Sequence, residues 1–279
     1  MKRLPVNEGG RGGSMVMTGI RDRVQVNIPF TWLMEGYLEL FVKEGLHPEI
    51  GIDAQALDRY DDGDFQRVAR IFLNRGRSVT LHAPFLDLAP GSPDPLVLSL
   101  TRKRLEQAVR LIPFFRPRTL VCHAGYDGRR YGGELRQVWL NNSLETWRRV
   151  ADRIRGHGAM LVLENVYERG PEEMIDLFDA LEGTGTRFCL DTGHLSAFGE
   201  APADRWIEAL GSRIGQLHLH DNGGEEDEHL ALGDGVLDFP SILGQLARQL
   251  PSPPVVTLEP HREADLEPCL RLLEDIWPW

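Results

Sequence analysis

Seven of the nine histidines in this 279-residue chain lie at or just beyond the ends of short apolar runs, and carboxylates end the neighbouring runs. His82 closes SVTLH, His123 closes TLVCH, Glu164 closes AMLVLE, and Asp191 closes TRFCLD with His194 three residues on. His218 and His220 end IGQLHLH, Glu259 closes VVTLE with His261 two further, and the loop GEEDEHLALGDG (224–235) adds Asp227 and His229. A lone histidine beside an apolar strand is ordinarily a hydrogen-bonded core or surface residue. Six consecutive segments ending in imidazoles or carboxylates call for a common purpose. Such donors without thiolates suit Zn²⁺, Mn²⁺ or Fe²⁺, so a divalent metal site is expected. Alternate residues of a strand share a face, so His218 and His220 could both face inward, whereas Cys122 must point away from His123 and toward the surrounding helices.

The elements that must position these residues alternate regularly. Strand candidates are 24–30, 48–53, 78–84, 119–125, 159–165, 186–192, 214–222 and 255–261. Helix-like segments lie between and after them at 31–45, 64–76, 96–112, 139–156, 171–183, 202–211, 240–250 and 264–277. In DFQRVARIFLNRG (64–76) the apolar residues recur at helical spacing, with Asp64 read as the N-cap and Gly76 as the stop. Eight β–α units predict a single closed (β/α)₈ barrel of the α/β class, whose strand C-termini converge on one face. A doubly wound open sheet is the competing fold, but NIPFTWLME after the first strand has no glycine-rich phosphate turn.

With 42% hydrophobic and 26% charged residues, the composition is that of a globular domain. Residues 1–22 read as a flexible tail, within which Met15 or Met17 could be the true start, and 23–279 as one catalytic domain. No apolar run approaches the ~18 residues of a membrane span, and the N-terminus lacks a signal-peptide core, so a cytoplasmic location is expected. The net charge of −11 argues against a protein that coats nucleic acid or anionic lipid. Only three lysines are present, Lys2, Lys43 and Lys103, and none ends a strand-like run, which argues against Schiff-base chemistry. Cys122, Cys189 and Cys269 show no CxxC pairing and read as buried reduced thiols.

The ordered series LHAPF, CHAG, LEN, LDTGH, HLHDN, DEHLALGDG and LEP resembles the xylose isomerase-like barrel superfamily, and specifically its endonuclease IV branch, AP endonuclease family 2. The resemblance implies up to three divalent ions per chain. Glu164 would bridge two, one completed by His82 and His123 and the other by Asp191, His218 and Glu259; His194, Asp227 and His229 would hold the third. Sugar isomerases and epimerases of the same superfamily typically keep only the Glu–Asp–His–Glu set and one ion. The Asp-x-His pair at 227 and 229 is therefore the discriminating feature. HAPFLDLAPGSPDP (82–95), HAGYDGRRYGG (123–133) and WLNNSLETW (139–147) resemble the cobamide-remodelling phosphodiesterases of that superfamily, which hydrolyse the phosphodiester in the nucleotide loop of a corrinoid.

The leading expectation is a metal-dependent phosphodiester hydrolase acting on a small phosphorylated molecule, with Glu164, Glu259 and Asp191 catalytic and Glu259 or Asp191 orienting or deprotonating the attacking water. The alternative is a sugar or sugar-phosphate isomerase or epimerase, with Glu164 and Glu259 as proton carriers on opposite faces of the substrate. Further alternatives are an AP endonuclease and a ligand-binding barrel without catalysis. Phe85, Tyr126, Arg129, Arg130, His220, His261 and Arg262 are candidate substrate contacts. Asn165 and Asn222 are expected to orient carboxylates.

Overall fold

The parity of each strand decides what the barrel holds. In the computed structural model, which describes residues 19–279, the strands are Gln25–Pro29 (β1), His47–Gly51 (β2), Thr80–His82 (β3), Thr119–His123 (β4), Met160–Glu164 (β5), Arg187–Asp191 (β6), Ile214–Leu219 (β7) and Val255–Leu258 (β8). They pair in parallel in sequence order, and β8 closes on β1 through Gln25 opposite Thr257 and Val26 opposite Leu258. All eight strands expected from sequence are present, each shorter than its apolar run.

Leu120, Cys122, Leu161, Leu163, Phe188, Leu190, Leu217, Leu219, Val256 and Leu258 face outward into the main core beneath the helices. Val121, Val162 and Cys189 face inward as a separate small cluster. Two residues further along the inner face lie His82, His123, Glu164, Asp191, His218 and Glu259, so strand alternation places all six on the inner face at the barrel mouth. β7 keeps this phase through an irregularity. Phe188 pairs with Ile214 but Cys189 pairs with Gln216, so Gly215 is an extra residue. Without that offset Gln216 and His218 would exchange faces with Leu217.

The helix read as 64–76 spans Asp62–Leu73, and its N-cap is Asp61 rather than Asp64. The Asp61 carboxylate accepts from the Gly63 and Asp64 amides, and Asp64 returns the bond to the Asp61 amide, a reciprocal capping box. Gly76, with φ +67°, ends the segment as expected. Short helices at Ala54–Arg59, Gly128–Tyr131 and Thr192–Phe198 were not anticipated from periodicity. The last begins at Asp191, whose Oδ1 caps it by accepting from the His194 amide at 2.7 Å. Of the expected tail 1–22, residues 1–18 lie outside the described residues; Ile20–Asp22 forms one 3₁₀ turn with Ile20 buried. All three cysteines are buried and free. Among the described residues no helix is long and apolar enough to cross a membrane.

Replacing Asp61 by Ala removes the primary cap and is expected to destabilise the fold by about 1 kcal/mol, read as a lower urea midpoint. Asp64→Ala, which removes only the returning bond, should lower the midpoint less; equal losses would assign the cap wrongly.

Candidate metal centre

Glu164, at the end of β5, is the hub of the barrel mouth. Its Oε2 stands 3.1 Å from His82 Nε2 and 3.8 Å from His123 Nε2. Its Oε1 stands 3.5 Å from His218 Nδ1, which lies 3.6 Å from Asp191 Oδ2 and 3.1 Å from Glu259 Oε1. A third set forms around Asp227 Oδ2, at 3.4 Å from His194 Nε2 and 3.3 Å from His229 Nε2. Two donors each ~2.0–2.2 Å from one tetrahedral ion are about 3.3 Å apart, so these spacings suit ligands gathered around shared ions. Overlapping triads able to hold an ion include His82–Glu164–His218, Asp191–His194–His220, His220–Asp227–His229 and Glu49–His218–Glu259.

The imidazoles are also anchored as metal ligands would need to be. A ligating histidine turns its second ring nitrogen to a carbonyl or carboxylate, which fixes both tautomer and ring plane. His82 Nδ1 bonds the Ala83 carbonyl at 2.9 Å, His194 Nδ1 the Asn165 carbonyl at 3.0 Å, and His229 Nδ1 the Glu259 carbonyl at 3.0 Å. His218 is anchored from the other side, with Nε2 3.0 Å from Glu49 Oε1. The opposite nitrogens of all four face the carboxylate sets. His218 Nδ1 and Asp227 Oδ1 are buried with no hydrogen-bond partner, a cost of roughly 1–3 kcal/mol each that a bound cation would remove. The residues present fit divalent ions.

Sequence reasoning did not single out Glu49. It lies on β2, fully buried one layer below the mouth, and accepts from Thr80 Oγ1 at 2.9 Å, Thr257 Oγ1 at 3.1 Å and the Gln216 amide. Its run HPEIG ends in no ligand, so only the parity shared with Thr80 and Gln216 could have signalled an inward carboxylate. Asp221 was likewise missed. Its buried carboxylate accepts from the Gly233 and Gly235 amides at 3.0 Å and the Leu237 amide at 3.2 Å. These bonds fold the 224–235 loop so that Asp227 and His229 reach the mouth. His229 sits there at φ +51°, a strained backbone held by that loop.

The electrostatics follow from burial and from the charges that face one another. Burial alone would lower His194 and His218, but the carboxylates of Asp191, Asp227 and Glu164 around His194, and of Glu259, Glu49 and Glu164 around His218, hold both well above the ordinary imidazole value. Burial likewise opposes ionisation of Glu164 and Asp191, yet the facing imidazoles hold both carboxyls well below their usual range. Glu259 is raised by its burial. His123 is pushed down to about 3, chiefly by burial.

A cavity of about 390 Å³ opens over the sets, lined by His82, His123, Glu164, His194, Asp227, His229 and Glu259 together with Phe85 and His261. Phe85 stacks on His123 at 4.3 Å between centroids, and His261 stacks on His229 at 3.7 Å. Other expected substrate contacts stand elsewhere. His220 is buried, bonds Asp191 Oδ1 through Nε2 at 3.0 Å and stacks beneath His229. Gly193 makes room for it, since a Cβ there would lie 1.9 Å from the His220 ring. Tyr126 is buried against Trp139, at 4.7 Å. Arg129 and Arg130 turn back to Asp127, the cap of their own short helix, at 3.2 and 3.6 Å. Arg262 is held by Asp265 at 2.8 and 2.9 Å, outside this cavity. Asn165 and Asn222 bond backbone rather than carboxylates: Asn165 pairs with both the N–H and C=O of Asp191, and Asn222 donates to the Gly193 carbonyl.

Among known proteins, the family model described as xylose isomerase-like TIM barrel matches residues 37–276. The protein MJ1311 of Methanocaldococcus jannaschii is 28% identical over 176 residues, which span 60% of this chain and 59% of that protein. A Mycobacterium leprae protein named "Probable endonuclease 4" is 29% identical over 203 residues, covering 67% of this chain and 76% of its own length. The structure of the TTHB071 protein from Thermus thermophilus, soaked with ZnCl₂, superposes with TM-score 0.76 at 28% identity, covering 91% of this chain and 98% of that one. A D-tagatose 3-epimerase-like protein superposes with TM-score 0.75 at 22% identity, covering 91% and 96%, and shares the fold.

Two outcomes test the centre. Glu49→Gln, which removes the anionic partner of His218, should weaken divalent-metal affinity by roughly 10- to 100-fold in competition with a chromogenic chelator; unchanged affinity would make Glu49 a purely structural group. The second concerns pH. The raised His194 and His218 contribute stability that is complete below the unfolded value of ~6.5 and lost as pH rises through their folded values. The depressed Glu164 and Asp191 contribute stability present above ~4 and lost toward acid. Metal-free protein should therefore melt highest between about pH 4 and 6.5, and the gain in Tm on adding Zn²⁺ should grow as pH rises above that window. A gain independent of pH would contradict this assignment.

Proposed function

The chain belongs to the xylose isomerase-like TIM barrel family, and we propose that it is a metal-dependent hydrolase of a small-molecule phosphodiester. The observation that carries this reading is the third donor set, His194 Nε2, Asp227 Oδ2 and His229 Nε2, standing beside the two that share Glu164. Proton transfer at carbon with one ion would use Glu164, Asp191, His218 and Glu259, leaving His82, His123, Asp227 and His229 without a task. The relative named as an endonuclease 4 and the TTHB071 crystal soaked with ZnCl₂ are in keeping with it.

When bound, divalent ions there supply a hydroxide source near neutral pH and neutralise charge on phosphoryl oxygens. The chain's own residues then divide the remaining work. Glu259 lines the cavity and its carboxyl is raised by burial, which makes it the more basic acceptor for a proton from water. Asn27 donates to Glu259 Oε1 at 3.3 Å and fixes its plane. Asp191 is closed off, with Oδ1 occupied by the His194 amide and His220, so of the two carboxylates Glu259 is the base. Phe85 and His261 form two sides of the rim. The substrate is small rather than duplex DNA: the loop 85–96 beside the mouth is acidic and proline-rich, and the chain's net charge is −11. Of the loops that resemble cobamide-remodelling enzymes, His82, Phe85 and His123 line the cavity while Tyr126, Arg129 and Arg130 stand outside it, so the corrinoid reading has no support beyond that likeness.

A sugar isomerase or epimerase is the second reading, and the solved structures favour it in number. Besides the D-tagatose 3-epimerase-like protein, several superposed structures are those of sugar epimerases, at 13–19% identity and hence alike in fold. The structure adds one observation: Glu164 and Glu259 approach the same unpartnered His218 Nδ1, as two proton carriers around one ion would.

Metal content separates the two. Protein purified without chelator should carry more than one tightly held transition metal per chain by elemental analysis, and at most one would sink the hydrolase reading. On that reading Asp227→Ala and His229→Ala each lower hydrolysis of bis(p-nitrophenyl) phosphate by about 100-fold or more; the epimerase reading expects both variants to retain activity on ketohexoses while Glu259→Gln abolishes it.

A further inference from the structure

Beside the metal cavity lies a second one of about 520 Å³, and the two share a wall formed by Asn27, Pro29 and His261. Its floor is the helical segment after β1. That segment begins as Phe30–Trp32, passes through a π-type turn at Leu33–Tyr37, and resumes as Leu38–Glu44. In a regular α-helix, residues five apart point roughly 140° away from each other. Here the wider turn, kinked at Gly36 with φ +141°, brings Trp32 and Tyr37 onto one side, stacked 5.8 Å apart with 29° between their planes. The conformation at Gly36 is one that side-chain-bearing residues rarely adopt, so the stacked pair depends on that glycine. Trp32 remains 45% exposed although it lies against an apolar groove lined also by Leu40. At the rim, Arg262 is held rigid by Asp265 through two bonds, at 2.8 and 2.9 Å.

From this geometry we infer that the second cavity is a subsite for a planar aromatic ring carried by the same molecule whose phosphate group enters the metal cavity. The inference rests on the phosphodiester reading for what lies on the far side of the shared wall, and on the groove itself for the ring. A paired indole and phenol present flat apolar faces that favour another flat ring over an aliphatic chain. The fixed guanidinium offers donors and a cationic face at the ring's edge. A cavity of this size with an apolar lining and few polar groups suits a small molecule. Both cavities border Asn27, Pro29 and His261, so a single molecule laid over that wall reaches the two of them.

The test measures binding at equilibrium, so it does not depend on turnover. Adenosine 5′-monophosphate and ribose 5-phosphate, which share the phosphate and differ in the ring, are titrated calorimetrically into the metal-loaded protein. The nucleotide should bind about 10-fold or more tightly than the sugar phosphate. Trp32→Ala should collapse that ratio toward one, and Trp32→Phe, which keeps a ring, should retain most of it. Gly36→Ala, which disfavours the kink without touching a side chain of the groove, should reduce it as well. Equal affinities for the two probes, or a ratio indifferent to Trp32→Ala in a variant whose melting temperature is unchanged, would overturn the subsite. If the ratio holds but no phosphodiester is cleaved, the hydrolase reading fails and the ring subsite stands. If bis(p-nitrophenyl) phosphate is cleaved but the ratio is near one, the reverse is true.

Discussion

Four carboxylates, those of Glu164, Asp191 and Glu259 at one barrel mouth and Glu49 just beneath it, are buried where the counter-charges come from imidazoles rather than lysine or arginine. Taking one unpaired carboxylate out of water costs several kcal/mol after relaxation, and gathering four multiplies the penalty through their mutual repulsion. The upper half of the barrel is organised around this constraint. Four of the imidazoles facing the carboxylates, those of His82, His194, His218 and His229, are pinned from behind, so that the free nitrogen is presented at a fixed angle instead of swinging to the nearest acid. The imidazoles of His194 and His218, which the facing carboxylates hold above their ordinary value, favour their protonated forms and so partly offset the negative charge when no cation is bound. Divalent ions would do so more completely and would release those protons.

The layer beneath the mouth serves the same end. A (β/α)₈ barrel interior is ordinarily filled by branched apolar residues. Here Val121, Val162 and Cys189 occupy one side, while Glu49, Thr80, Gln216 and Thr257 occupy the other as a hydrogen-bonded network. The polar half lies under His218, whose Nδ1 approaches three separate carboxylates while its Nε2 meets Glu49. Thr119 Oγ1 donates to Gln216 Oε1 at 2.6 Å, which fixes the amide so that its nitrogen faces Glu49. Rigidity at the metal layer is thus inherited from a buried network that is satisfied by the barrel's own side chains.

This division explains what the sequence could and could not disclose. The eight strands and the inward direction of six donors follow from period-two alternation, a local property, so His82, His123, Glu164, Asp191, His218 and Glu259 were legible without a structure. Glu49 was not, because it sits two positions before the end of β2 and its partners come from β3, β7 and β8, across the barrel. The extra residue at Gly215 shows how narrow the margin was: the phase of β7 is set by its pairing with β6, and no local pattern announces it. The loops were least legible. Arg129 and Arg130 follow His123 by six and seven residues, but a four-residue helix capped by Asp127 turns them outward. Trp32 and Tyr37 read as ordinary helical positions until the kink at Gly36 brings them together.

The same reasoning bears on how one fold can host two chemistries. Glu164, Asp191, His218 and Glu259 are fixed by strands, hence by the barrel itself, and they suffice for an ion flanked by two glutamates. Of the third set, His194 rides on the first turn of a helix capped by Asp191. Asp227 and His229 belong to a loop whose shape is dictated by Asp221 and the amides of Gly233, Gly235 and Leu237. A Cβ at position 235 would come within 2.3 Å of Asp221 Oδ1 and 2.2 Å of the Asn222 carbonyl, so that turn accommodates only glycine. The capacity for additional ions is therefore built on one loop and one helix cap, added to a strand-borne frame that needs neither. The donors on that loop and helix can thus be gained or lost while the strand-borne Glu164, Asp191, His218 and Glu259 stay in place.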